Sequence, residues 1–379
     1  MRDFLNSSAP THFLFPIDGD FVNSRDGERV DGGVAFVASV ISASDSQVKI
    51  NGVLATEENG VYRAKVCVGE GSTDLYAENL TDGTTASVCV FYAPRTEEKC
   101  YRISSDDNLL FLADITKNKD RYRSIFENPY LAVYKKAHDL YGAKVHLNLF
   151  YEFDDEARSH FANERPYFNL SMMTDKFKEE FRANADWLKF TFHAKSEFPP
   201  KPYKFASAET VRRDCERIHA EIRRFAGEEV NSGCTTVHFG EANEEGARAL
   251  RALGYRAMTG YFIPAECPVA YYAPEKLIEY VHGRDFWYDT ATDILFGRID
   301  LVVNLNTHAK NLQILQEIMA SPTRGGFISI MIHEQYFHKD YCNHLPDFEA
   351  RVLEACELIA KNGYVGRHIC EAASITADA

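Results

Sequence analysis

The chain has 379 residues, of which 45% are hydrophobic and 13% aromatic, and its formal net charge is −14. That length implies two or three domains with packed cores and excludes a disordered chain. The negative balance excludes a general nucleic-acid binder, because phosphates would be repelled, and no basic run offers itself to an anionic membrane.

The opening "MRDFLNSSAPTHFLFP" lacks the apolar stretch of a secretory signal. No run approaches the roughly 20 apolar residues of a membrane span. The nine cysteines are scattered, with no C-x-x-C pair and no zinc-knuckle spacing. They read as reduced, mostly buried thiols, and the expected location is cytoplasmic.

Residues 12–95 read as an all-β sandwich. "GVAFVASVIS", "SQVKINGVLA", "GVYRAKVCVG", "TDLYAENL" and "TTASVCVFYA" alternate or are rich in Val, Tyr and Phe. Turn signals such as "EENG" and "TDGT" separate them. The stretch "VKINGV…GVYRAKVCVGEGSTDLYAENL" resembles the immunoglobulin-like modules attached to many bacterial carbohydrate-active proteins. "APRTEEK" (Ala93–Lys99) is polar and reads as a linker.

From residue 100 to 373 strands alternate with helices, which predicts a parallel sheet closed or nearly closed into a distorted (β/α)7–8 barrel. "KCYRISS", "AKVHLNLFYE", "DWLKFTFHA", "CTTVHFGEA", "RAMTGYF", "DLVVNLN" and "GFISIMIHEQYF" are the predicted strands. The helices are "SIFENPYLAVYKKAHDLYG", ending at Gly142, and "TDKFKEEFRANA", capped by Thr174 or Asp175. "SAETVRRDCERIHAEIRRFAGE", "NEEGARALRALGY" with Asn243 as cap, "AKNLQILQEIMAS" and "LPDFEARVLEACELIAKNGY" complete them.

In such folds the chemistry sits at the C-terminal ends of the parallel strands. Here four distant strands each deliver a carboxylate or imidazole to that rim: Asp106 and Asp107, His193, His238, and His333 with Glu334 and Gln335. The chemistry that fits is metal-assisted hydrolysis. One carboxylate and two neutral imidazoles leave positions open on a divalent ion, a second carboxylate takes a proton from water, and an imidazole opposite protonates a leaving amine. Zinc suits the nitrogen-rich set; cobalt or nickel would also fit.

The order of these segments resembles the polysaccharide deacetylases of the NodB-homology type. Ser104-Ser105-Asp106-Asp107 is similar to that family's Thr-x-Asp-Asp motif, "FHAKSE" to its His-(Ser/Thr)-x-x-His, "VHFGEANEEGARALRALGY" to its third motif, and "ISIMIHEQYF" to its final Leu-x-His. The resemblance covers about residues 100–365. It implies removal of an acyl group, such as N-acetyl, from a carbohydrate. Asp106 would be the base, Asp107 and His193 metal ligands, and His333 the acid.

Two departures stand out. Glu197 occupies the place of the family's second metal-binding histidine, and His238 stands where Arg and Tyr are usual. The third ligand is therefore His238 or Glu197. Tyr203 in the "FPPKPY" loop, Trp287 in "GRDFWYDTATD" and Glu334 are candidates for holding the sugar, although a stiff connector and a packed aromatic loop would look the same. Asp106 and Asp107 would also serve as a helix cap and turn. His138, His146, His160 and His219 read as structural, and His338 as a surface residue. Two rivals remain: a metal-free glycosidase pairing Asp106 with Glu334 across a sugar bond, and a carbohydrate-binding protein with a degenerate site. The expected partner is a carbohydrate, with no nucleic acid and no membrane.

Overall fold

Alternating burial along Val61–Gly69 shows why this segment is a strand: every second side chain points into a core and the rest face solvent. It pairs antiparallel with Gly33–Ile41 from Gly33↔Gly69 to Ile41↔Val61. His12–Phe15, Gly27–Val30 and Thr56–Glu58 complete this first sheet. The facing sheet contains Gly71–Asn79 paired with Thr85–Tyr92, and Val48–Ile50 with Val53–Leu54. Phe36, Val40, Tyr62, Val66, Leu75 and Val90 fill the space between them. The computed structural model describes residues 3–264 and 270–374.

The second sheet does not stop at the sandwich. Asp20–Phe21 pairs in parallel with Val90 and Phe91, and Asp20 pairs antiparallel with Trp287. From Phe286–Asp289 the ladder passes to Ile294–Arg298, Ala257–Gly260 and Cys234–Thr235. "GRDFWYDTATD", expected to be an aromatic loop, is thus the start of a hairpin that joins the two parts of the chain. Arg284 secures the joint: its guanidinium meets Asp20 at 2.9 Å and Asp26 at 2.5 Å, with all three side chains buried.

A third sheet carries the strands Leu188–Ala194, Val145–Phe150, Cys100–Asn108, Phe327–His333 and Leu301–Val302, all parallel. The segment 294–302 serves two sheets, pairing first with Ala257–Gly260 and then with Ile330 and Met331. At the other seam the bridge Phe190↔Asn231 links Leu188–Ala194 to the chain before Cys234. Odd and even positions have separate fates along these strands. Tyr101, Ile103, Val145, Leu147, Ile328 and Ile330 pack into the main core with the helices. Arg102 instead bonds to Ser329 and Thr259 from neighbouring strands.

Local chemistry sets the helix boundaries. Pro129–Tyr141 starts with Asn128 capping Leu131 N and ends at Gly142, whose φ of 69° is left-handed and costs glycine little. Ser207, Asn243 and Thr307 cap Ala208–Phe225, Glu244–Ala252 and His308–Met319 in the same way. "TDKFKEEFRANA" begins later than expected, at Lys178, and neither Thr174 nor Asp175 caps it. "CTTVHFGEA" leaves the strand after Thr235 and turns through His238–Gly240, with Phe239 at φ 61°. Helices Leu110–Lys117 and Glu275–His282 are additional to the expected set. Ile369–Ala372 plugs the end of the strands where Cys234, Ala257, Leu295 and Phe327 cluster.

The cysteines among the described residues are all free; Cys100, Cys215, Cys234 and Cys356 are buried, whereas Cys67 and Cys342 are exposed. Among the described residues no helix is long and apolar enough to cross a membrane.

Candidate metal centre

The strand Cys100–Asn108 carries two adjacent carboxylates, and neighbours in a strand normally diverge. Asp107 resolves this with a left-handed backbone at φ 61°, a conformation Asp tolerates better than most residues. The turn leaves both Asp106 and Asp107 buried and lining one cavity of about 320 Å³. His193 reaches the same cavity from the end of Leu188–Ala194, His238 from its 3-10 turn, and His333 from the end of Phe327–His333.

The two inner histidines have defined tautomers. His193 Nδ1 lies 2.5 Å from the Thr236 carbonyl, and His238 Nε2 lies 3.0 Å from the Glu197 carbonyl. A carbonyl only accepts, so each ring gives its N–H there. In the neutral rings His193 Nε2 and His238 Nδ1 therefore carry lone pairs, and these face each other at 3.1 Å. Asp107 Oδ1 stands 3.0 Å from the first and 3.4 Å from the second. Three acceptors thus converge, all within 4.8 Å of one another and all buried. Such an arrangement is repulsive unless a cation or an extra proton sits among them. The donor set, two imidazoles and one carboxylate with both rings oriented by carbonyls, fits a divalent metal. The Asp107–His193–His238 cluster can hold a metal ion.

Around this cluster several further polar groups are held by hydrogen bonds. Asn148 Nδ2 donates to Asp106 Oδ1 at 2.5 Å, and the Thr236 N–H donates to Asn148 Oδ1 at 3.2 Å. His333 Nδ1 donates to Asn304 Oδ1 at 2.9 Å, leaving Nε2 free 4.0 Å from Asp107 Oδ2. Gln335 Nε2 donates to Asp107 Oδ2 at 2.9 Å and to Glu197 Oε2 at 2.8 Å.

The protonation tendencies follow from burial and charge. Burial pushes the Asp106 carboxyl up, against the charges of His193 and His333. Burial would raise Asp107 too, yet the His193 and His238 rings at Oδ1, which donate to it when they carry a second proton, and the charge of His333 outweigh burial and hold it well below the usual carboxylate range. Burial works against a charged His193, but the charges of Asp106 and Asp107 prevail and raise it. Burial, followed by the charge of Asp107, pushes Glu197 up to about 8.

Three expected site residues lie elsewhere. Glu334 is buried, and its two oxygens accept the N–H groups of Leu109, Leu110 and Phe111 at 2.6–2.9 Å, so it caps a helix and does not face the cavity. It cannot flank a sugar bond opposite Asp106. Tyr203 is buried between the Lys195 N–H and Asp214. Trp287 is buried against Phe296 and donates to the Asp18 carbonyl, so it offers no exposed sugar platform. Glu197 lines the cavity, but its carbonyl, not its carboxylate, engages the metal cluster. Asn148 and Asn304, to which sequence reasoning gave no role, touch the same groups, as does Gln335, expected at the rim without a stated task. For Asn148 the usable signal was a polar residue two positions from His146 and Phe150 in an otherwise apolar strand.

No protein-family profile and no curated protein sequence matches the chain. Among solved structures, a 4-alpha-glucanotransferase from Thermococcus litoralis is similar over 74% of this chain, with 11% identity and a TM-score of 0.45. This chain spans 41% of that enzyme's length. Agd3, a carbohydrate deacetylase, is similar over 90% of this chain and 71% of its own, with 8% identity and a TM-score of 0.41. At these scores and identities, the function has to be read from the site itself.

Proposed function

We propose that the chain is a metal-dependent hydrolase that removes an acyl group from an amide of a carbohydrate, on a distorted (β/α)7–8 barrel of the NodB type. The observation that carries this reading is the meeting of three buried groups, Asp107 Oδ1, His193 Nε2 and His238 Nδ1, whose two facing nitrogens both present lone pairs when the rings are neutral. Those three residues would hold the ion, with zinc the default and cobalt or nickel acceptable. A bound divalent ion supplies an acidified water and a polarised carbonyl. The order of Asp106, Asp107, His193 and His333 along the chain supports the NodB resemblance.

Each of the chain's own groups then has a task. Asp106, with its proton affinity raised by burial and its orientation fixed by Asn148, accepts the proton of the attacking water. His333, oriented by Asn304, keeps Nε2 toward the cavity and delivers a proton to the departing amine. Gln335 holds Asp107 Oδ2, leaving Oδ1 toward the two histidines. Val302 and Met331 give the cavity an apolar wall.

Elemental analysis of protein purified without chelator tests the reading. About one divalent ion per wild-type chain is expected, with loss in His193→Ala and in His238→Ala. Equal metal content in all three removes the ligand assignment. Release of acetate from N-acetylated oligosaccharides by the metal-loaded protein tests the reaction.

A further inference from the structure

Gln335 is pinned by acceptors on both sides of its amide nitrogen, Asp107 Oδ2 and Glu197 Oε2. Swapping its oxygen and nitrogen would place an acceptor against the ionised Asp107 carboxylate, which sets the orientation. Its Oε1 is consequently left over. Gln335 is 5% exposed, and Oε1 is buried with no hydrogen-bond partner among the described residues. A buried acceptor without a donor is costly, and natural sites keep one where a ligand supplies the missing hydrogen.

The surroundings say what kind of ligand. Asp106, Asp107 and Glu197 all line the cavity, and among the described residues no lysine or arginine does. A divalent ion balances two of these carboxylates, and Glu197 is surplus. The walls therefore oppose a phosphorylated or uronic substrate and favour a donor bearing positive charge.

We infer that Glu197 and Gln335 form an ammonium-accepting subsite beside the metal cluster, suited to the free amine of an amino sugar. The inference builds on the hydrolase reading of the same cavity, since that reaction releases a primary amine next to these residues. The occupant is either the newly freed product amine or an unacylated amino sugar already present in the chain. The negative charge around Glu197 favours a cation beside its carboxyl, and Gln335 Oε1 accepts one N–H.

The test measures binding, not turnover, so it stands or falls separately from the proposed reaction. Cobalt-loaded wild-type protein is titrated calorimetrically with a glucosamine trisaccharide, its N-acetylated counterpart and a glucose trisaccharide. The glucosamine ligand is expected to bind tightest. Glu197→Gln is expected to weaken it about tenfold, the effect of one charge-assisted bond, and to leave the other two within twofold. A mixed trisaccharide with one free amine flanking an N-acetyl group separates the two sources of amine: tighter binding than the N-acetylated ligand indicates a neighbouring unit, and equal binding indicates the product. The inference is overturned if wild-type protein does not prefer the amine, or if Glu197→Gln affects all three ligands equally or none. It is also overturned if Glu197→Gln loses cobalt, because Glu197 would then be a ligand. Should that variant melt early, Glu197→Ala replaces it, and the wild-type ranking alone suffices for refutation.

Discussion

Asp106 and His333 are register partners on adjacent parallel strands, so one pair of neighbouring strands holds both a carboxyl and an imidazole at the cavity. Neither belongs to the three-acceptor cluster. This separation predicts that proton transfer and metal binding can be lost independently. Asp106→Asn and His333→Ala should each lower kcat by about 10²–10⁴ while metal content stays at the wild-type level. The double variant should be little worse than either single one, because groups acting in one proton path are non-additive. Metal loss in His333→Ala would place that imidazole among the ligands and overturn the division of roles.

Glu334 follows His333 directly, and its role is mechanical. It serves as the N-cap of Leu110–Lys117, where no local side chain caps the helix. Glu334→Ala leaves three buried N–H groups without an acceptor and should cost roughly 3 kcal/mol or more in urea unfolding. Glu334→Gln should cost less and keep turnover within a few-fold of wild type. A large kcat loss in a fully folded Glu334→Gln would return this residue to the reaction.

That cap also explains what the sequence hid. Leu110–Lys117 has four buried apolar residues and a cap that comes from 225 positions away, so neither an amphipathic face nor a local start signal marks it. Helices with their own caps, at Asn128, Ser207 and Asn243, were legible from the chain alone. The hairpin at Phe286–Asp289 was not, because its partner is a two-residue strand, Asp20–Phe21, in the N-terminal part. In the site, the order of Asp107, His193 and His238 could be read off as residue types at strand ends. The choice between His238 and Glu197 could not, since it depends on which atom of Glu197 faces the ring. Trp287 misled because an aromatic in a polar loop and an aromatic stacked under a hairpin have the same letters around them.

Arg284 should matter for stability, not chemistry. It is buried against Asp20, Asp26 and the Phe21 carbonyl, at the junction of sandwich and α/β part. Arg284→Ala strands two buried carboxylates and should cost about 3–5 kcal/mol in urea unfolding. Arg284→Lys keeps the charge but cannot reach three partners at once, so it should fall between. A change below about 0.5 kcal/mol in Arg284→Ala would show that the two parts hold together without this joint.

At the far end of the strands His146 Nε2 and His368 Nδ1 meet at 2.6 Å, and this pair gives a pH prediction. Burial, reinforced by Lys144 and Lys189, pushes His368 down to about 3, and burial with the charge of His368 pushes His146 well below 6.5. Both are bases whose folded forms refuse a proton that the unfolded chain accepts. Their stabilising effect is complete above about pH 6.5 and is lost as pH falls below it. The loss is at most about 1.4 kcal/mol per histidine for each pH unit. Other groups titrate with the opposite sign, His193 among them, so the readout is a difference between proteins. Urea unfolding at pH 7.5, 6.5 and 5.5 should show a smaller drop in His368→Asn than in wild type. Asparagine can still cap Ile369–Ala372, so the comparison isolates the ring. Equal pH slopes would mean that the two imidazoles take up a proton together within the fold, and the buried neutral pair would be the wrong description.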